Sequence, residues 1–177
     1  MSNVVIDSYT SFPVSDELWN QDKDETDMLF NTYARCAMYY VDAGASMIGK
    51  TLKTFTMRMR SLSATPSSNP VTFGVWSKTN VTTSPDSAFT GTGVLTNNTN
   101  QLSTSNVDYT FTGTHVLAAE DNIGFVPANN SVYDYAVRRT NSTVPIDMKV
   151  SNRFITTPPS WNIGINSQLP YGYGSQV

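Results

Sequence analysis

The chain has 177 residues, enough for one domain with a substantial core. Its residues are 39% apolar, 11% aromatic and only 14% charged, a balance that excludes a disordered chain and favours a neutral polar surface. One cysteine, Cys36, and one histidine, His115, exclude an intrachain disulfide framework and a Cys/His zinc site.

Taken in chain order, Met1–Asn31 reads as an irregular leader that includes Pro13 and Trp19. Its first twelve residues lack a basic start followed by an apolar run, so no signal peptide is expected. Residues 1–30 hold seven acidic residues against Lys23, a net −6, while the remaining 147 hold seven acidic and ten basic residues, a net +3. An acidic leader is the reverse of a basic arm that neutralises a genome, so direct nucleic-acid binding is not expected. Alternation then sets in. Ala34–Val41 is a candidate strand, and a buried, inert Cys36 suits it. Over Thr51–Ser61, Phe55, Met57 and Met59 point one way and Thr54, Thr56, Arg58 and Arg60 the other, the period of a half-buried strand.

A turn-rich stretch around Pro66 leads to a strand over Val71–Ser77, where Trp76 faces away from Val71, Phe73 and Val75. A polar loop, Lys78–Ser87, precedes a weak strand over Ala88–Leu95. Clearer strands follow at Val107–Thr112, Asn122–Pro127, Val132–Val137, Ile146–Val150 and Arg153–Thr156. Residues 157–177, with Pro158, Pro159, Trp161, Pro170 and the run Tyr171-Gly172-Tyr173-Gly174, read as an extended aromatic arm, because proline removes ladder donors and glycine weakens a strand. No stretch reaches the roughly 18 apolar residues of a membrane span. Eight or nine short strands with turns between them predict an all-β antiparallel sandwich. The expected division is an acidic N-terminal arm over 1–31, a body over 32–156 and a C-terminal arm over 157–177.

The run Ile48-Gly49-Lys50-Thr51-Leu52, the strand Pro70–Trp76, and Tyr109–Thr112 followed by Leu117–Phe125 give an order that resembles the jelly-roll sandwiches of carbohydrate-binding modules and of archaeal and viral surface and capsid proteins. The resemblance covers about residues 34–150. It implies a jelly-roll body and a binding role, and carries over no catalytic motif.

An enzyme is not expected. A Ser-His-acid triad would have to use His115, and no serine lies in the glycine-flanked elbow of a hydrolase nucleophile. Glu120 and Asp121 are adjacent, so they are expected in a turn pointing different ways, which does not suit a glycosidase pair. The acidic run Asp22, Asp24, Glu25, Asp27 lacks the glycine and the glutamate of an EF-hand loop and reads as solvated, so no metal or other cofactor is expected. Asn-X-Ser/Thr sequons at Asn80, Asn97, Asn129 and Asn141 arise readily in so Asn- and Thr-rich a chain. The aromatics are the more informative class. Trp76, Trp161, Tyr171 and Tyr173 can anchor a protein interface or stack on sugar rings, with a second apolar layer covered by the N- or C-terminal arm as the equal alternative for Trp76, and Arg58 and Arg60 can pair with the acidic leader of the same or a neighbouring subunit. These features lead to the expectation of a virion structural protein, a capsid or capsid-decoration subunit that assembles with itself and other capsid proteins through its arms. The alternative is an extracellular carbohydrate-binding or adhesin module that recognises glycans through exposed aromatics.

Overall fold

The computed structural model describes residues 17–21, 25–29, 38–62, 71–91, 102–127, 135–139, 148–154, 160–163, 169 and 171–177. These residues hold no helix, hence none long and apolar enough to cross a membrane. They hold twelve strands in one continuous antiparallel sheet: β1 (Glu17–Gln21), β2 (Thr26–Leu29), β3 (Met38–Val41), β4 (Thr51–Ser61), β5 (Val71–Trp76), β6 (Ser87–Gly91), β7 (Val107–Val116), β8 (Asn122–Pro127), β9 (Tyr135–Arg139), β10 (Met148–Phe154), β11 (Ser160–Ile163) and β12 (Gly172–Ser175).

The pairing is nested. β5 and β6 form the innermost hairpin, with Phe73 opposite Phe89. Outside them β4 pairs β7, then β3 pairs β8, and β1 pairs β12 as the outermost ladder. The chain is therefore one long antiparallel hairpin, and it is rolled up. β12 also pairs β4, and β8 also pairs β5, which gives the two strand orders β1-β12-β4-β7 and β3-β8-β5-β6. This is a jelly-roll sandwich. β6 makes the corner: Ser87–Phe89 pair with β5, whereas Thr90 and Gly91 pair with β7 in the facing sheet.

The strands between β8 and β12 widen the roll. β10 extends the second sheet beside β3, with β11 beyond it. β9 lies against Met59–Ser61 of β4, end to end with β12 on Thr54–Met57, and carries β2 on its far side.

Alternation explains the core. Phe55 of β4 and Phe111 of β7 point in from one sheet, and Phe73 of β5 and Phe125 of β8 from the other, all within 5% of full burial. The Phe73 and Phe111 rings stack with centroids 3.9 Å apart, and Phe89 from the corner strand lies 5.3 Å from Phe55. Each ring so buried contributes about 1.5–3 kcal/mol.

The two ends of the chain depart from the expected irregular arms. Within residues 1–31 the structure has β1 and β2, and within 157–177 it has β11 and β12. The reason lies in Gly172 and Gly174, whose missing side chains leave room inside the roll for larger ones. A Cβ on Gly174 would lie 2.0 Å from the Trp19 ring, and one on Gly172 would lie 1.8 Å from the Thr56 carbonyl oxygen and 2.6 Å from the Tyr39 hydroxyl. Tyr171 and Tyr173 alternate with these glycines, so the run is a strand with its small residues inward.

Candidate functional site

Strands β1, β12, β4 and β7 share an outer face. Asn20, Tyr173, Thr56 and Thr110 lie opposite one another across the four strands, and the Thr56 and Thr110 hydroxyls are 2.8 Å apart. Thr54, Thr112 and Thr90 form a parallel row. Tyr173 is 40% exposed and lies beside the buried Thr56 of the neighbouring strand. Tyr171 is held from above: the Arg58 guanidinium lies 4.1 Å from its ring centroid, a cation–π contact. Arg58 also grips Asp108 through two hydrogen bonds, 2.6 Å from Nε to Oδ1 and 2.9 Å from Nη2 to Oδ2. Arg60 donates to Asp27 Oδ2 at 2.7 Å, and Arg138 to Asp27 Oδ1 at 3.2 Å. Asp27 thus ties the acidic leader to the roll of the same chain.

Trp76 is on the outer face of β5, and of its two expected settings, an exposed platform and a covered layer, the structure has the covered one. It points away from the aromatic core, as alternation requires, yet it is fully buried. The polar loop after β5 folds back over the outside of this strand. Pro85 of that loop would sit 2.8 Å from a Cβ on Gly74, the neighbouring outward position. No sugar ring can stack on Trp76. Trp161 is in β11 opposite Arg153; its side chain, Asp22, Asp24, Cys36 and the sequons at Asn97, Asn129 and Asn141 lie outside the described residues. At the fourth sequon the Asn80 amide is engaged, with Nδ2 donating to the Ser84 carbonyl and Asp86 and Oδ1 accepting from Thr82.

One end of the roll gathers a polar cluster from three turns. At Ala118–Asp121 the chain bends sharply, with Glu120 at φ 68°, a left-handed conformation that costs a non-glycine residue about 1 kcal/mol or more. That bend is pinned to β3, because the Glu120 N–H donates to the Val41 carbonyl and the Val41 N–H to that of Asp121. It aims the Glu120 carboxylate at the Tyr40 hydroxyl, 3.0 Å away, and at the Lys78 ammonium. Those donors hold Glu120 below the usual carboxyl range, while burial and the bond to Glu120 push the Tyr40 phenol up to about 12. In the adjoining loop the Ser77 N–H, 2.7 Å away, holds Asp86 below its ordinary value, helped by Asn80.

His115 occupies the centre of this end. Alternation along β7 turns it inward after Tyr109 and Phe111. Its Nδ1 lies 2.8 Å from Ser87 Oγ, and its Nε2 lies 2.8 Å from Asp121 Oδ2. Asp121 is 2% exposed and also accepts the Ala118 N–H at 2.7 Å. Ser87, His115 and Asp121 thus form a continuous hydrogen-bonded series that sequence reasoning did not assemble. Ser87 carries no motif, and only the rolled hairpin brings β6 beside the end of β7. No group of three His, Cys, Asp or Glu side chains among the described residues is close enough to hold a metal ion.

No protein-family model matches the chain, and no match was found among curated proteins or solved structures. What the structure supports is the all-β, antiparallel, sandwich-like fold.

Proposed function

We propose that the chain is a structural subunit of a virion surface, a capsid or capsid-decoration protein that associates with its own copies and with neighbouring capsid proteins by pairing strand edges. The observation that carries this reading is where the sheet ends. Among the described residues its outer strands are β1, β2 and β11, all from the two terminal segments. A free strand edge offers unpaired N–H and C=O groups, and monomeric proteins defend such edges with charge, proline or a covering element. β11 reads Ser-Trp-Asn-Ile, with neither charge nor proline inside it. Such an edge suits strand addition from a second copy.

The test cannot be removal of residues 157–177, because β12 lies between β1 and β4 and its loss opens the roll. Substitutions Trp161→Pro and Asn162→Pro serve instead. Successive residues of a strand direct their backbone groups to opposite edges, so one of the two prolines points away from β10 and spares its ladder. Light scattering coupled to size exclusion should show an oligomer for the natural chain and a monomer for the proline variant that keeps its strand signal. A natural chain that stays monomeric at every concentration would overturn the proposal.

A second reading is favoured by Tyr173. Its exposed ring, in a cross-strand row with threonines, suits a glycan laid across the strands. Glycan-array binding that is lost in Tyr173→Ala and kept in Tyr173→Phe would support it; binding that Tyr173→Ala leaves intact would remove it.

A further inference from the structure

We propose that Ser87 is an activated nucleophile, served by His115 as base and Asp121 as its orienting partner, and that it reacts with small acyl esters. This goes beyond the structural reading and does not depend on it.

The proton positions follow from the partners. Ionised Asp121 can only accept, and its Oδ2 lies 2.8 Å from Nε2, so the neutral imidazole carries its proton on Nε2. Nδ1 is then left with its lone pair facing Ser87 Oγ at 2.8 Å, the tautomer a general base needs. Asp121 is fixed in turn by the Ala118 N–H, inside a bend that is itself anchored to β3. The orienting acid is thus buried and held, His115 is partly covered, and Ser87 is half-exposed on the corner strand. The series thus runs from a buried acid through a partly covered imidazole to a partly covered hydroxyl, an arrangement that can generate a nucleophile. Asp86 lies within electrostatic reach of His115 and adds a second negative charge beside the imidazolium that forms.

The reaction is balanced as follows. Ser87 Oγ bonds to the ester carbonyl carbon as its proton passes to Nδ1, while Nε2–H remains donated to Asp121. The bond to the leaving alkoxide breaks as that oxygen takes the proton from Nδ1. Water then repeats the sequence on the acyl-serine and releases a carboxylic acid.

Two measurements on the full chain test this. A fluorophosphonate probe at neutral pH, followed by peptide mapping, should label Ser87 in preference to other serines, and His115→Gln should slow labelling about 100-fold, the scale of a lost general base. Hydrolysis of p-nitrophenyl acetate should fall in parallel in Ser87→Ala. Circular dichroism accompanies each variant, and Asp121→Asn replaces His115→Gln if the latter does not fold. A purely structural series predicts shifted melting with unchanged labelling. Absence of label on Ser87, or equal labelling in the folded His115 or Asp121 variant, would overturn the proposal.

Discussion

Replacing Gly174 by alanine is the sharpest test of how the roll closes. Gly174 lies opposite Trp19 on β1 and Phe55 on β4. A Cβ there would meet Cζ3, Cη2 and Cε3 of Trp19 at 2.0, 2.1 and 2.4 Å, far inside carbon–carbon contact. The indole cannot simply swing aside. It is 3% exposed and tilted against the fully buried Tyr39, with ring centroids 5.1 Å apart. Overpacking of this kind costs about 1–3 kcal/mol, and a clash on three ring atoms belongs at the upper end. Alanine recovers about 0.4–1 kcal/mol by stiffening the unfolded chain. The net loss is about 2 kcal/mol, or a fall of about 4–8 °C in Tm for a domain of this size. Urea unfolding followed by circular dichroism measures it, with Gly44→Ala as the control, since nothing lies within 4 Å of a Cβ there. Trp19→Phe shortens the ring, so the double variant Trp19→Phe/Gly174→Ala should lose less than the sum of the two singles. A Gly174→Ala midpoint equal to that of Gly44→Ala, or strict additivity in the cycle, would refute the closure described above.

Two further outcomes follow from the polar contacts. Tyr40 is neutral when folded and its pKa is raised to about 12, so its contribution is complete below the ordinary phenol value of 10.0 and is lost as pH rises through about 12. Asp86 and Glu120 have the opposite sign: their pKa values are lowered, so their contribution is present above the ordinary 3.8 and 4.5 and is lost as pH falls through the lower folded values. Thermal melting against pH should therefore decline at both limits, and Asp86→Asn should flatten the acid limb alone. Arg58→Ala removes an exposed bidentate pair and a ring contact, a loss of about 1 kcal/mol, measurable by denaturant unfolding and partly reduced by salt.

The strands that alternate large and polar residues were legible in the sequence. β4 over Thr51–Ser61 and β8 over Asn122–Pro127 have the predicted bounds, and β5 ends one residue early at Trp76. β1 and β12 escaped because their inward positions break the apolar signal: β12 turns Gly172 and Gly174 inward, and β1 pairs Trp19 with Gln21, a buried polar residue. β10 merges two expected strands, since the residues between Val150 and Arg153 hold no proline or glycine to interrupt them. The outward direction of Trp76 was readable from alternation, but alternation alone left its exposure and its burial equally open, because the loop that folds back beside it over Gly74 is polar and shows no period. Ser87, His115 and Asp121 are separated by 28 and 6 positions. Only the corner step of β6 and the bend at Glu120 bring them together.

The nested ladder has a kinetic consequence. Its inner hairpin joins residues near in sequence, whereas the outermost pair joins Glu17 to Ser175 across almost the entire chain. Such distant pairing pays its loop entropy before any contact rewards it, which makes the roll a slow folder whose last event is the arrival of β12. During synthesis the gap between β1 and β4 stays open until β12 leaves the ribosome, and a chain interrupted just before it exposes two unsatisfied edges instead of forming a smaller domain.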